Sequence, residues 1–258
     1  MGLLDVLFKS ASKAVTRAAA QKVNEVVREK TKEALDDLIP TTGKPAQHKS
    51  DAAAQNKSAY DTTPDLPCDF SHIGGWVCVK GNTVEQVISA LGLKNPTPAN
   101  WESGVRAADR NFLKKCFVAG AGGYVVAIGY CPFGVKMTVK EELATLGNAA
   151  AQLEEMTCFA TQSVVDLHVW AKYRGTLVRG YGWIGESGEI YLNKGEPTPE
   201  EIALSYTDFI QDTNCDWETA RFPDMENVQA MAKAWGLAPD LSNLSGYETG
   251  TGYVCDII

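Results

Sequence analysis

Apolar side chains at Leu4, Leu7, Phe8, Ala11, Val15, Ala18, Ala19, Val23, Val26 and Val27 recur at three- and four-residue spacing, which predicts one amphipathic helix over residues 3–39. At 1.5 Å per residue it would be roughly 50 Å long, and Pro40 marks its end. Periodicity is lost from Thr41 to Pro67, where Thr, Ser, Ala and Pro accumulate, so residues 40–67 read as a flexible linker in which His48 is a solvated side chain. From Cys68 to Ile258 strand-like and helical patterns alternate. Trp76–Lys80 predicts a strand. Thr83-Val-Glu-Gln86 is a capping box that opens a helix over 83–91, with Gly92 placed to end it. Cys116–Ala119 and Tyr124–Gly129 flank Gly120-Ala-Gly-Gly123 and predict a hairpin. A second capping box, Thr138–Glu141, opens a helix over 139–153. A meander follows, with strands near 157–162, 164–173, 176–184 and 189–193 and turns at Arg174-Gly175 and Ser187-Gly188. Thr198-Pro-Glu-Glu201 caps a third helix with proline at its first position, and a last helix covers 224–235 before Gly236. Hairpins outnumber parallel crossovers, so the expected class is α+β, with helices packed on an antiparallel or mixed sheet.

If Arg174-Gly175 is a two-residue turn, Trp170 faces Arg179, His168 faces Tyr181 and Asp166 faces Trp183. Period-two alternation then gathers Asp166, His168, Trp170, Arg179, Tyr181 and Trp183 on one face of the sheet. Leu167, Val169, Ala171 and Val178 line the other, with Gly180 and Gly182 leaving room for close packing. The first face mixes aromatics with Arg, His and Asp, a composition typical of binding hot spots, and is the expected partner-binding face. Arg179 beside Trp170 would make a cation–π contact. The competing expectation is that a helix or the rest of the chain covers this face. Asp166 and His168 are also candidates for a base and its orienter, but no GxSxG elbow or protease-type cysteine supplies a nucleophile.

The chain of 258 residues is 45% hydrophobic, which argues for a globular protein rather than a disordered or disulfide-dense one. Its net charge of -8 is unevenly placed. Residues 1–40 hold 7 basic and 6 acidic side chains, residues 41–183 hold 14 and 12, and residues 184–258 hold 3 and 14. A field of that sign in the last third repels nucleic-acid phosphates and anionic lipid and suits a basic protein partner. Lipid contact is therefore expected only through residues 3–39, where Leu3, Leu4, Leu7, Phe8, Val15 and Val23 form an apolar stripe beside Lys9, Lys13, Arg17 and Lys22. The same stripe would serve self-association, or packing on the protein's own core.

No apolar run approaches the roughly 20 residues that span a bilayer, and Asp5 interrupts the short N-terminal one, so an intracellular, cytoplasmic protein is expected. Val6 stands where a myristoylation motif wants Ser or Thr, and Asp256 is atypical in a prenylation box Cys255-Asp-Ile-Ile. Seven cysteines without a CxxC pair read as reduced, buried thiols. With three histidines, no HExxH and no His/Cys cluster, neither a metal site nor a cofactor is expected. Gly120–Gly123 lacks the Lys-Ser/Thr of a P-loop.

The stretch Phe159–Tyr181, continuing into Gly185-Glu-Ser-Gly-Glu189 and Gly195–Glu201, resembles segments of uncharacterised bacterial α+β proteins, some of them of the immunity type found in contact-dependent toxin systems. The resemblance covers about residues 74–240 and rests on strands, turns and a capped helix. It implies a non-enzymatic protein that binds and blocks a cognate toxin. The alternative expectations are a small hydrolase-like enzyme using His168 and Asp166, and a membrane-associated adaptor acting through residues 3–39.

Overall fold

A computed structural model describes residues 60–131, 133, 138–185, 188–206, 220–241 and 247–257. The chain divides into two compact units, Met1–Gln55 and Asn56–Ile258, and every described residue lies in the second. The expected helix 3–39, with Leu3, Leu4, Leu7, Phe8, Val15 and Val23, lies outside the described residues, as does linker 40–59.

Nine strands form one sheet: β1 (Gly75–Lys80), β2 (Lys94–Asn100), β3 (Lys115–Ala121), β4 (Tyr124–Ile128), β5 (Glu155–Gln162), β6 (Leu167–Arg174), β7 (Thr176–Ile184), β8 (Glu189–Lys194) and β9 (Thr251–Asp256). Their order is β2-β9-β3-β4-β1-β5-β6-β7-β8, and all neighbouring pairs are antiparallel. The helices are α1 (Val84–Ala90), α2 (Trp101–Arg110), α3 (Val139–Ala150), α4 (Pro199–Ala203) and α5 (Met225–Trp235). The class is thus α+β on an antiparallel sheet.

Both faces of the sheet are covered, which creates two cores. Val77, Val79, Cys158, Val169 and Ala171 point to the side on which α1 places Val87 and Ile88 and α3 places Leu146 and Ala149. Trp76, Phe117, Phe159, Trp170 and Tyr181 point to the other, where α2 contributes Trp101 and Val105, and α5 contributes Val228, Met231 and Trp235. Central β1 is consequently buried from Gly75 to Val79. An antiparallel strand with one wet face alternates apolar and polar residues, and the run Trp76-Val-Cys-Val does not. Helix α2 lies very close to the sheet because a Cβ on Gly104 would meet the Phe117 ring at 2.2 Å.

The three expected capping boxes form at Thr83–Gln86, Thr138–Glu141 and Thr198–Glu201, each with reciprocal bonds. Asp224 and Asn227 make a fourth on α5. Gly122 and Gly123, at φ 56 and 81, turn β3 into β4 as a two-residue connection that requires left-handed backbone.

Residues 60–67, expected to finish the linker, are docked instead. Asp65 accepts hydrogen bonds from the backbone N–H of Trp101 at 2.6 Å and of Glu102 at 2.9 Å, capping the first turn of α2 from outside the helix. Asp65 also pairs with Gly250 as a β-bridge, and Asn100 N–H donates to the Asp61 carbonyl at 2.6 Å. No helix among the described residues is long and apolar enough to cross a membrane.

Candidate functional site

The β6–β7 hairpin that carries the expected partner face is built as anticipated in its faces but not in its register. Gly175 alone, at φ 66, turns the chain between Arg174 and Thr176, which pair with each other. A register shift follows between Lys172 and Tyr173, so that Lys172 faces Arg179, Trp170 faces Tyr181 and His168 faces Trp183. The slip relative to the expected pairs is two residues, which keeps the side chains from His168 to Trp170 and from Arg179 to Trp183 on their own faces. The opposite side packs closely, as the glycines foretold: a Cβ on Gly180 would meet Leu192 at 2.9 Å and one on Gly182 would meet Val169 at 3.1 Å. Val178 departs from the expected core side and is exposed.

The aromatic–polar face is interior, which corrects its reading as a partner surface. Trp170, Arg179, Tyr181 and Trp183 are at most 1% exposed and His168 is 5% exposed. Tyr206 lies edge-on to Trp170 at 5.7 Å and tilted over Tyr181 at 4.8 Å, Trp170 stacks on Tyr181 at 5.2 Å, and Phe222 sits 5.5 Å from Trp183. Burying aromatics beneath the chain's own segments gains the same apolar area that a partner would have covered.

Arg179 is tolerated inside because each of its guanidinium nitrogens is bonded. Its Nε donates to Glu201 Oε2 at 2.7 Å and its Nη2 to Glu201 Oε1 at 2.5 Å, a two-pronged pairing. Nη1 donates to Asn193 Oδ1 and to the carbonyls of Lys194 and Gly195, and Tyr206 Oη donates to Glu201 Oε1 at 2.7 Å. Burial opposes the charge on Arg179, and the Glu201 carboxylate more than offsets it, so the guanidinium pKa stands above its ordinary value. The Arg179 guanidinium lies 5.5 Å from the centroid of the Tyr181 ring, so the cation–π partner is Tyr181 rather than Trp170. Glu201, Asn193 and Tyr206 were missed as partners of Arg179. The one signal for Glu201 was its place in a capping box, where its carboxylate also accepts from Thr198 N–H.

Asp166 and His168 do come together. Asp166 stands in the turn before β6 at φ 51, and its Oδ1 lies 2.9 Å from His168 Nε2. A Cβ on Gly185 would fall 1.8 Å from Asp166 Oδ2, so glycine is needed beside the carboxylate. The other imidazole nitrogen, Nδ1, lies 3.2 Å from Thr161 Oγ1 on β5. Hydroxyl, imidazole and carboxylate thus form a row. Asp166 is mostly solvent-exposed, whereas the imidazole is only 6% exposed.

The acidity of the last third is partly spent on pairs within the chain: Glu201 pairs with Arg179 in the interior, and half-buried Asp256 pairs with Lys115 at 2.6 Å. What remains at the surface is still one-sided. Among the described residues from 188 onward, seven acidic side chains are exposed (Glu189, Glu196, Glu200, Asp224, Glu226, Asp240 and Glu248), against Lys194, Arg221 and Lys233. An open groove of about 580 Å³ runs along α5, lined by Glu226, Lys233, Leu237, Asp240, Leu241 and Tyr247 among others. None of Thr161, Asp166 and His168 lines it. Among the described residues no group of three or more His, Cys, Asp or Glu side chains is arranged to hold a metal ion.

Compared with protein-family models, with curated proteins and with solved structures, the chain matched none.

Proposed function

We propose that this chain is a non-catalytic protein-binding module whose partner is a basic protein, acting in the manner of an immunity-type inhibitor in the cytoplasm. Residues 3–39 would add self-association or peripheral attachment to the inner face of the membrane. The observation that carries the reading is the exposed acidity among the described residues from 188 onward, seven carboxylates against three cations. Complementary fields of this kind raise association rates and discriminate against acidic partners. Trp170, Arg179, Tyr181 and Trp183 are buried, so this reading assigns partner binding to the acidic exterior instead of the sheet face.

The hydrolase-like alternative draws support from the row Thr161–His168–Asp166, in which a hydroxyl stands where a nucleophile would be needed. Against it, the imidazole is nearly closed off from solvent, and a base must reach its substrate within about 3 Å.

The experiment is affinity capture with the wild-type chain and with a variant carrying Glu189→Gln, Glu196→Gln, Glu226→Gln and Glu248→Gln, followed by titration of the purified captured protein. A partner of high isoelectric point that binds wild type and loses at least about tenfold in affinity to the variant supports the reading. Capture of acidic proteins, or equal affinity for both forms, sinks it.

A further inference from the structure

We infer that the groove along α5 is the place where a basic, partly apolar segment of the protein partner docks, an inference that rests on the acidic-surface reading above. Helix α5 is amphipathic in a way that leaves one face unclaimed by the core. Val228, Met231, Ala232 and Trp235 pack on the sheet, whereas Glu226, Gln229, Ala230 and Lys233, spaced by three, four and seven residues, turn to the groove.

The floor is apolar and rigid. Leu237 and Leu241 are 5% and 6% exposed, and Gly236 lies so close to the sheet that a Cβ there would meet Cys78 and Thr157 at 3.0 Å. Tyr247 closes one wall and is itself seated on the β3–β4 turn, its ring 3.2 Å from where a Cβ on Gly122 would stand. The rim is acidic: Glu226 and Asp240 line the groove, with Glu248 exposed next to Tyr247 in the chain and Asp224 exposed two residues before Glu226.

An apolar floor under an acidic rim matches a lysine or arginine side chain, which lays its methylene stem along apolar surface and leaves its charged head among carboxylates. A volume of about 580 Å³ accommodates a few side chains of a partner, within the range of about 300–1,000 Å³ found for ligand pockets. Direction is also encoded. Glu226 stands at the N-terminal end of α5 and Lys233 seven residues later, about 10 Å along the axis, so the partner's cation belongs at the Glu226 end.

The test is a nuclear magnetic resonance titration of the full chain with a five-residue peptide of alternating lysine or arginine and leucine. The same peptide with glutamate in place of the cations is the control. The basic peptide should move the amide signals of Gln229, Ala230, Lys233 and Leu237. Glu226→Lys, which reverses charge at an exposed position, should weaken binding by about tenfold, and Ala230→Trp, which fills the groove without changing charge, should do likewise. Glu189→Lys with Glu196→Lys, outside the groove, should leave affinity within about twofold. Signals that move elsewhere, with binding lost in the Glu189 and Glu196 variant instead, overturn the groove but leave the acidic-surface reading standing. Equal binding of the acidic peptide, or no binding of the basic one at low salt, overturns both.

Discussion

Removing the carboxylate of Glu201 should destabilise the domain more than any other single polar change. Both members of the pair Arg179–Glu201 are at most 1% exposed, and the guanidinium receives its only described negative charge from Glu201. In Glu201→Ala, Arg179 keeps the Asn193 side chain and two carbonyls but loses the counter-charge, and Tyr206 Oη loses its acceptor. Breaking a buried pair from one side costs about 3–5 kcal/mol, a large part of the roughly 5–15 kcal/mol that holds a domain folded. For a unit of this size that is a fall in Tm of about 6–20 °C. Glu201→Gln separates the causes, because glutamine also serves as the third residue of a capping box and removes only the charge. Replacing both partners with apolar residues, as in Arg179→Met with Glu201→Leu, should cost less than either single change. Urea unfolding of the wild type, Arg179→Met, Glu201→Leu and their combination forms a double-mutant cycle. A loss below about 1 kcal/mol in Glu201→Ala, or a double variant that costs the sum of the singles, would refute the interior placement of this face.

Three further outcomes follow from the same structure. Asp65→Ala removes two N–H acceptors at the start of α2 and should cost about 1–2 kcal/mol by thermal unfolding, with amide exchange rising at Trp101 and Glu102; an unchanged Tm would contradict the docking of residues 60–67. Hydrogen bonds from Lys115 and Asn95 lower the Asp256 pKa, and at Glu155 contacts with Arg174 and Lys172 outweigh burial to the same effect. A carboxylate depressed in the folded state contributes stability that is whole above its unfolded value and is lost as pH falls through the folded one. Tm should therefore stay level from pH 7 to about 5 and drop below about pH 4, with a shallower drop in Asp256→Asn. Burial pushes the Cys78 thiol up to about 12 and the Cys131 thiol up to about 11, with Cys116 and Cys158 also well above the ordinary value. A thiol reagent at pH 8 should accordingly leave these four untouched in the native protein and label them only after unfolding, half-buried Cys68 reacting sooner.

Much of this fold was legible where local chemistry decides the structure. Capping boxes at Thr83, Thr138 and Thr198 placed three helix starts, and the glycines at 122 and 123 placed a hairpin, because those signals act over a few residues. Three elements went unread for the opposite reason. Strand β2 contains Pro96 and Pro98, which read as loop, and it is an edge strand, where missing N–H donors are tolerated. Helix α2 carries Gly104, a residue chosen for contact with Phe117 at the expense of helix propensity. Strand β9 comes from the far end of the chain to lie between β2 and β3, a long-range pairing that no local pattern announces.

At the candidate site, alternation assigned the side chains of β6 and β7 to their faces except at Val178, beside the register shift, and survived a two-residue slip in register. What alternation leaves open is whether polar residues on a face meet water or one another. That depended on Glu201 and Tyr206, which arrive from beyond β8 to pair with Arg179 and cover Trp170. The surface acidity was overstated in the same way, since Glu201 is engaged in the interior and Asp256 is paired with Lys115.

The most direct test of the central claim is the salt dependence of partner affinity for the wild-type chain beside the variant with Gln at 189, 196, 226 and 248, both verified to share one Tm. The account predicts that wild-type affinity falls steeply between low and physiological salt, as expected for association steered by surface charge, and that the variant is both weaker and nearly insensitive to salt. Wild-type affinity that ignores salt, or a variant that binds as tightly as wild type, would contradict it.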